Sequence, residues 1–191
     1  MTINPTSTAI VVMDFQPTIL NTLQDAGPLL VRVNKAIAAT RAVGGTVATV
    51  RVAFTANDLA GFPKHSAMGR RMKSLADKVA ADAPTTQIVP EIGVQQGDIA
   101  VRKIRVGPFL TTDLDAQLRK AGIDTVVFAG IHTSGCVLTG VRESHDLDYR
   151  VIVLSDGCAD PDVEMHDFLV GKVFPKQSEV MTIDHYVTNI T

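Results

Sequence analysis

Apolar and polar residues alternate along the chain in blocks that predict strands and helices in turn. Six short blocks have the length of buried strands, and several of them, such as "AIVVM" at 9–13, are continuous runs of small and branched apolar residues. Strands that are apolar on both sides are typical of a sheet covered on both faces. We predict strands over Ala9–Phe15, Thr46–Phe54, Ile99–Ile104, Thr125–Gly130, Arg150–Ser155 and Glu179–Ile183.

Helical patterns lie between these blocks, over Leu29–Val43, Ala67–Ala80, Asp113–Ala121, Gly135–Leu147 and Val163–Val173. This alternation predicts an α/β architecture, a three-layer Rossmann-like fold with a six-stranded, mostly parallel sheet and helices on both faces. Because no linker or repeat interrupts the pattern, we expect residues 1–191 to form one domain. The segment from Phe54 to Ala67 is predicted to be a long irregular loop, either a lid or an oligomer contact.

Composition and charge exclude several classes of function. The chain has 191 residues, of which 46% are hydrophobic and 20% charged, and its formal net charge is −2. This charge gives no basic surface for nucleic acid and no polybasic signal for a membrane. No apolar run reaches membrane-spanning length, and the N-terminal "MTINPTSTA" has no signal-peptide pattern. We therefore expect a cytoplasmic protein that binds neither nucleic acid nor membranes.

The spacing of cysteines, histidines and glycines predicts no metal and no cofactor. Cys136 and Cys158 lack CxxC or zinc-type spacing, and the five histidines form no HxH or HExxH pattern. Gly130 and Gly135 are spaced like a phosphate-binding loop. That loop also needs a lysine and a hydroxyl residue, and here Cys136 and Val137 follow instead. No G-x-G-x-x-G is present either, so a dinucleotide site is unsupported.

Three chemically distinct side chains follow three predicted strands. "TAIVVMD" ends in Asp14, "DIAVRK" ends in Lys103, and "DTVVFAG" runs into the loop that carries Cys136. Ligands bind at the carboxyl ends of the strands in open parallel sheets. The topology therefore predicts that a carboxylate, an ammonium and a thiol meet at one edge of the sheet.

Each of these residues also has a purely structural interpretation. A lone cysteine is most often a small buried hydrophobe, Asp14 could form a helix cap or a salt bridge, and Lys103 could be surface charge. Position favours chemistry for Cys136, because the N–H groups and positive dipole end at a helix N-terminus favour a thiolate. They can also hold a developing oxyanion. Cys158 has no comparable surroundings in the sequence and is interpreted as structural.

Most of the chain, from Thr8 to Val173, resembles the isochorismatase-like cysteine hydrolases. Three segments carry the resemblance in the correct order: "AIVVMDFQ", "KIRVGPFLTTDLDAQLRKAGIDTVVFAGIHTSGCVLTG" and "DLDYRVIVLSDGCAD". The resemblance implies a catalytic triad of Asp14, Lys103 and Cys136. It also implies a cis peptide bond between Ile131 and His132, and an oxyanion hole formed by the N–H groups of His132 and Cys136.

The implied reaction is hydrolysis of a small amide or related C–N bond through a thioester, that is, an amidase acting on non-peptide bonds. We predict that Gln16, Phe54, Phe109 and Thr133 contribute to substrate binding, Thr133 by supporting the turn. Nicotinamidases of the family carry an Asp/His metal cluster after the second strand. This chain has "TVRVAFTAND" there, with only His65 nearby, so a metal-assisted nicotinamidase is not expected.

Two other functions stay open at this point. An isochorismatase-type enzyme would cleave a vinyl ether without covalent chemistry, although members of that type lack the nucleophilic cysteine. A protein that kept the fold without catalysis would use the thiol for binding or redox sensing. The resemblance further implies a homo-oligomer, a dimer or a tetramer.

Overall fold

The computed structural model describes residues 2–191. Within them, six strands form one fully parallel sheet: β1 (Thr8–Met13), β2 (Thr46–Val52), β3 (Ile99–Lys103), β4 (Thr125–Ile131), β5 (Arg150–Ala159) and β6 (Glu179–Met181). Their order across the sheet is β3-β2-β1-β4-β5-β6. The predicted α/β fold with a six-stranded sheet is therefore confirmed.

Eight α-helices connect or follow these strands within residues 2–191. They are α1 (Pro17–Leu20), α2 (Gly27–Ala42), α3 (Ala56–Ala60), α4 (Ala67–Ser74), α5 (Leu114–Lys120), α6 (Leu138–Asp146), α7 (Val163–Phe168) and α8 (Ile183–Asn189). A glycine with positive φ follows both α2 and α5, namely Gly44 at 79° and Gly122 at 74°. These glycines end the helices in the left-handed conformation and turn the chain into β2 and β4.

The sheet separates two hydrophobic cores, and β1 belongs to both. Successive side chains of a strand point to opposite faces. Val11 accordingly packs in a core that contains Leu118 of α5, whereas Ile10 packs in a core with Ile37 of α2 and Tyr186 of α8. All six residues of β1 are buried. Full burial of a branched side chain stabilises the fold by about 1.5–3 kcal/mol. Strand β1 is therefore firmly held in the sheet, and the position of its carboxyl end is fixed with it.

A third, smaller hydrophobic cluster lies outside the sheet, under the segment after β2. Phe54, Phe62 and Val79 form its buried part. Helix α4 packs closely here, because a Cβ added at Gly69 would lie 2.5 Å from Phe62 Cβ. The segment 54–67, predicted as an irregular loop, contains α3, which a Thr55–Asp58 capping box begins. Local capping therefore overrides the loop-like composition there.

Two further helix predictions differ from the structure in their boundaries. The predicted helix Gly135–Leu147 begins as a π-helical turn over Thr133–Val137 and becomes regular only in α6. The predicted helix Ala67–Ala80 ends as α-helix at Ser74 and continues as a 3₁₀ turn over Ala76–Lys78.

Candidate active site

Asp14 follows the last residue of β1 in a strained backbone conformation. Its φ is 63°, in the left-handed region that non-glycine residues seldom occupy. Its N–H donates to the carbonyl of Val50 at 2.8 Å, which anchors the residue against β2. This strained conformation costs on the order of 1 kcal/mol. It persists because the surrounding structure fixes the direction of the Asp14 side chain.

Lys103 forms a buried ion pair with Asp14. Lys103 Nζ lies 2.7 Å from Asp14 Oδ2, and the two side chains are 1% and 7% exposed. Lys103 also donates to the carbonyl of Val106 at 2.7 Å. Such a pair is costly to desolvate and needs close geometry and additional hydrogen bonds. The other carboxylate oxygen, Asp14 Oδ1, is buried without a hydrogen-bond partner among residues 2–191.

Cys136 lies in the turn between β4 and α6, beside this ion pair. Its Sγ is 3.2 Å from the carbonyl oxygen of Ile131, and the residue is 3% exposed. The peptide bond between Ile131 and His132 is cis. Asp14, Lys103 and Cys136 line one cavity at the carboxyl ends of the strands, and we call these three residues the strand-end centre.

Burial controls the protonation of the strand-end centre. It raises the pKa of the Asp14 carboxyl, with Lys103 and Cys136 opposing the shift. Burial lowers the pKa of Lys103, but the negative charge of Asp14 and the neighbouring Cys136 outweigh it, so this pKa is raised. Burial and Asp14 raise the pKa of the Cys136 thiol well above its ordinary value, and Lys103 offsets this only in part. The resting site therefore holds a thiol beside an ion pair.

The expectation that the turn favours a thiolate is wrong. The helix-dipole argument assumed a regular helix starting at the cysteine, whereas α6 begins only at Leu138. Burial and the negative charge of Asp14 raise the pKa of the thiol by more than Lys103 lowers it. The raised pKa keeps Cys136 as a neutral thiol beside the buried Asp14 carboxyl group.

The cavity has a volume of about 330 Å³ and a largely apolar lining. Its walls are formed by Asp14, Gln16, Thr18, Ile19, Thr22, Val52, Phe54, Met68, Arg71, Met72, Leu75, Lys78, Val79, Thr86, Lys103, Arg105, Val106, Ile131, His132, Gly135 and Cys136. We call the part that runs from Met68 to Val79 the α4 wall. This volume suits a small organic molecule.

A sequence model of the isochorismatase domain matches residues 8–185. The chain belongs to the isochorismatase family. It is 32% identical over 185 residues to the uncharacterised isochorismatase family protein YwoC of Bacillus subtilis (strain 168), covering 96% of this chain and 94% of the relative. It is 33% identical over 177 residues to the ureidoacrylate amidohydrolase RutB of Pseudomonas savastanoi pv. phaseolicola, covering 80% of this chain and 70% of the relative.

A solved structure shares the whole architecture. The isochorismatase family protein from Burkholderia thailandensis matches with a TM-score of 0.85 at 27% identity, covering 99% of this chain and 97% of that chain. The protein is thus an isochorismatase-family hydrolase. No helix among residues 2–191 combines the length and apolar character that a membrane crossing requires.

Of the four residues predicted to bind substrate, the structure of this isochorismatase-family hydrolase places two in the cavity lining. Gln16 and Phe54 line it. The Gln16 amide is already engaged, because its Nε2 donates to the carbonyls of Val52 at 2.9 Å and Thr86 at 2.7 Å, and its Oε1 accepts from Val52 N at 2.8 Å. Gln16 therefore ties the end of β1 to the cavity wall, and both of its amide N–H donors are already used.

Phe109 and Thr133 are not among the lining residues. Phe109 packs in the core against Tyr149, with ring centroids 6.0 Å apart. Its N–H donates to Glu143 Oε2 at 3.0 Å, which folds the segment after Lys103 back onto α6. Thr133 is buried, and its Oγ1 lies 2.8 Å from His166 Nδ1. We therefore withdraw Phe109 as a substrate contact and keep Thr133 only as support for the turn.

Three residues whose hydrogen bonds fix the turn that carries Cys136 were not predicted from the sequence. Asp160 Oδ2 accepts from Ser134 N at 2.9 Å and from Ser134 Oγ at 2.6 Å. Burial opposes ionisation of Asp160, but the Ser134 donors outweigh it and lower its pKa. His166 supports Thr133 from α7. Asp160 directly follows β5, and this position at the end of a strand was the sequence feature that could have indicated its role.

His132 lies between the turn and the opposite wall. Its Nε2 is 2.8 Å from Thr22 Oγ1. Burial lowers the pKa of the imidazole and the nearby positive charge of Arg71 adds to this, while Asp160 and Asp14 act in the other direction. Among residues 2–191, no three His, Cys, Asp or Glu side chains come together as a metal site would require.

Proposed function

We propose that this hydrolase cleaves a small amide or related C–N bond through a thioester on Cys136. The observation that carries the proposal is the buried Lys103–Asp14 ion pair beside the Cys136 thiol, at the base of a cavity of about 330 Å³. A relative of 33% identity is named a ureidoacrylate amidohydrolase, which supports the same class of reaction here.

The first half of the reaction forms the acyl-enzyme. Asp14 Oδ1, buried and without a partner among residues 2–191, accepts the thiol proton as Sγ bonds to the carbonyl carbon. Lys103 remains charged and stabilises the carboxylate and the developing thiolate. In the proposal, the N–H groups of His132 and Cys136 hold the oxyanion. The C–N bond then breaks, and the proton on Asp14 passes to the leaving nitrogen.

The second half hydrolyses the thioester. Asp14, again a carboxylate, takes a proton from water as the water oxygen attacks the acyl carbon. The C–S bond breaks, the acid leaves, and the proton returns from Asp14 to sulfur. The raised thiol pKa fits this sequence, because the departing sulfur takes the proton back from Asp14 and the neutral thiol is restored at the end of each cycle.

Turnover of a panel of small amides, ureides and carbamates tests the proposal. We expect Cys136→Ala to lose at least about a thousandfold in kcat/KM, as enzymes do when the nucleophile is removed. Cys158→Ala is the matched control, because Cys158 is the other free, buried cysteine and lies outside the cavity lining. The control should keep the wild-type rate.

The same panel, extended with a vinyl ether such as isochorismate, separates the alternatives. Turnover of the ether that survives in Cys136→Ala would establish the isochorismatase-type reaction. A chain that hydrolyses nothing in the panel but oxidises reversibly at Cys136 would be a redox protein. Either result would contradict the amidase.

A further inference from the structure

The neutral polar side chains of the cavity have their hydrogen bonds inside the protein. The Gln16 amide is held by backbone on both sides. Thr18 Oγ1 donates to the Thr85 carbonyl at 2.8 Å, and Thr22 Oγ1 donates to the Ile19 carbonyl at 2.7 Å. Thr86 Oγ1 donates to the Ala80 carbonyl at 2.7 Å. Few neutral donors are therefore left in the side chains of the wall to recognise a ligand.

The groups that remain available are cations. Arg71 and Lys78 line the cavity on the α4 wall, and their side chains have no hydrogen bond or ion pair among residues 2–191. Arg105 also lines it, with its guanidinium 4.1 Å from the Phe62 ring centroid and Nη1 donating to the Ile104 carbonyl at 2.7 Å. Stacking fixes the guanidinium plane while leaving further N–H donors free.

The excess of positive charge is local to the cavity. The whole chain has 18 Lys and Arg against 20 Asp and Glu. The cavity is lined by Arg71, Lys78, Lys103 and Arg105, against Asp14 as the carboxylate in the lining. Lys103 is paired with Asp14 at 2.7 Å, which leaves the other three cations uncompensated in the lining. Arg71 and Lys78 are exposed and Arg105 is half-buried. A cavity lined by charges of one sign attracts a ligand of the opposite charge.

The α4 wall also contains apolar side chains beside these cations. Met68, Met72 and Leu75 line the cavity together with Arg71. Arg71 lines the same cavity as His132 and Cys136. A ligand that binds at the thiol and contacts this wall would thus meet both apolar side chains and a cation.

We propose that the substrate is an amide that also carries a carboxylate, and that Arg71, assisted by Arg105, binds this carboxylate. That the substrate is an amide rests on the proposed function. That it carries a carboxylate rests only on the residues that line the cavity. Guanidinium groups bind carboxylates with two parallel hydrogen bonds, which gives direction as well as affinity.

Protection of Cys136 from alkylation tests the anion site without any turnover. The probe is iodoacetamide, and the competitors are succinate and glutarate, each compared with its uncharged diamide. Mass spectrometry of the Cys136 peptide gives the alkylation rate. We expect the dicarboxylates to protect saturably and the diamides to protect at least about tenfold less well, since a charge-assisted hydrogen bond is worth roughly tenfold to a hundredfold in affinity.

Variants of the α4 wall complete the test. Arg71→Gln should raise the half-protecting concentration of glutarate by about tenfold to a hundredfold, and Arg105→Gln by less. Arg70→Gln is the matched control, because Arg70 neighbours Arg71 on α4 but does not line the cavity. Equal protection by the diamides, no protection by either anion, or an unchanged value in Arg71→Gln would overturn the proposal.

The two proposals fail in different ways. If neutral amides are hydrolysed with dependence on Cys136 while the dicarboxylates do not protect, the amidase stands and the carboxylate site is wrong. If Arg71-dependent protection is found but no amide is hydrolysed, the anion site stands and the amidase is wrong.

Discussion

The strand-end centre and the α4 wall line the same cavity but are built on different principles. Asp14 and Lys103 are almost fully buried, belong to or directly follow strands of one sheet, and are paired with each other at 2.7 Å. The α4 wall packs on its own small cluster around Phe54, Phe62 and Val79, and its cations Arg71 and Lys78 are exposed. The comparison supports the proposed division, in which the sheet positions the reacting groups and the α4 wall binds the rest of the substrate.

The comparison predicts that variants of the centre lose turnover and that variants of the wall lose substrate affinity. The largest effect is expected for Asp14→Asn. A general base contributes about a hundredfold to ten-thousandfold to the rate, so kcat should fall by that factor. The negative charge that raises the thiol pKa is also removed, so iodoacetamide should alkylate Cys136 faster at pH 8 than in the wild type.

Measuring both rates in Asp14→Asn separates a base from a structural carboxylate. Asp25→Asn is a suitable control, because Asp25 is exposed and does not line the cavity. Turnover by Asp14→Asn at the wild-type rate would contradict the assigned role.

The next effect is expected for Lys103→Met, which removes the charge and keeps a long side chain. Removing one partner leaves Asp14 buried and uncompensated, and breaking a buried pair costs about 3–5 kcal/mol in the free energy of unfolding. We also expect at least about a hundredfold loss of kcat. Denaturant unfolding and steady-state kinetics measure the two effects, and Lys73→Met on the exposed side of α4 should change neither.

The sequence predicted one part of the site, namely that Asp14, Lys103 and Cys136 lie together. Asp14, Lys103 and the loop of Cys136 each follow a recognisable apolar strand, so their meeting at one edge follows from parallel topology alone. The hydrogen bonds from Ser134 to Asp160 and from Thr133 to His166 join residues that are far apart in the chain, and no local pattern encodes them.

The predictions for Phe109 and for the thiol pKa differ from the structure for one physical reason. In both cases the decisive neighbours are residues that lie far away in the sequence. Phe109 turns into the core because Glu143 of α6 holds its N–H. The thiol pKa rises because burial and the negative charge of Asp14 outweigh the effect of Lys103. Both depend on what surrounds a residue, and the sequence shows only what precedes and follows it.

The smallest effect is expected for Gly69→Ala in the α4 wall. A Cβ at Gly69 would lie 2.5 Å from Phe62 Cβ, so Phe62 or α4 must shift. Overpacking of this kind costs about 1–3 kcal/mol, and the displaced wall should raise KM several-fold while kcat stays nearly constant. Gly171→Ala is the control, because no atom lies within 4 Å of its added Cβ. A fall in kcat with KM unchanged would contradict the division between centre and wall.

The most direct test of the account is the mass of the enzyme quenched in acid during turnover of an amide substrate. The account predicts a fraction of the protein heavier by the acyl group, with the added mass on the peptide that contains Cys136 and none in Cys136→Ala. Continued hydrolysis of the amide with no acylated species at any quench time, and with Cys136→Ala as active as the wild type, would contradict it.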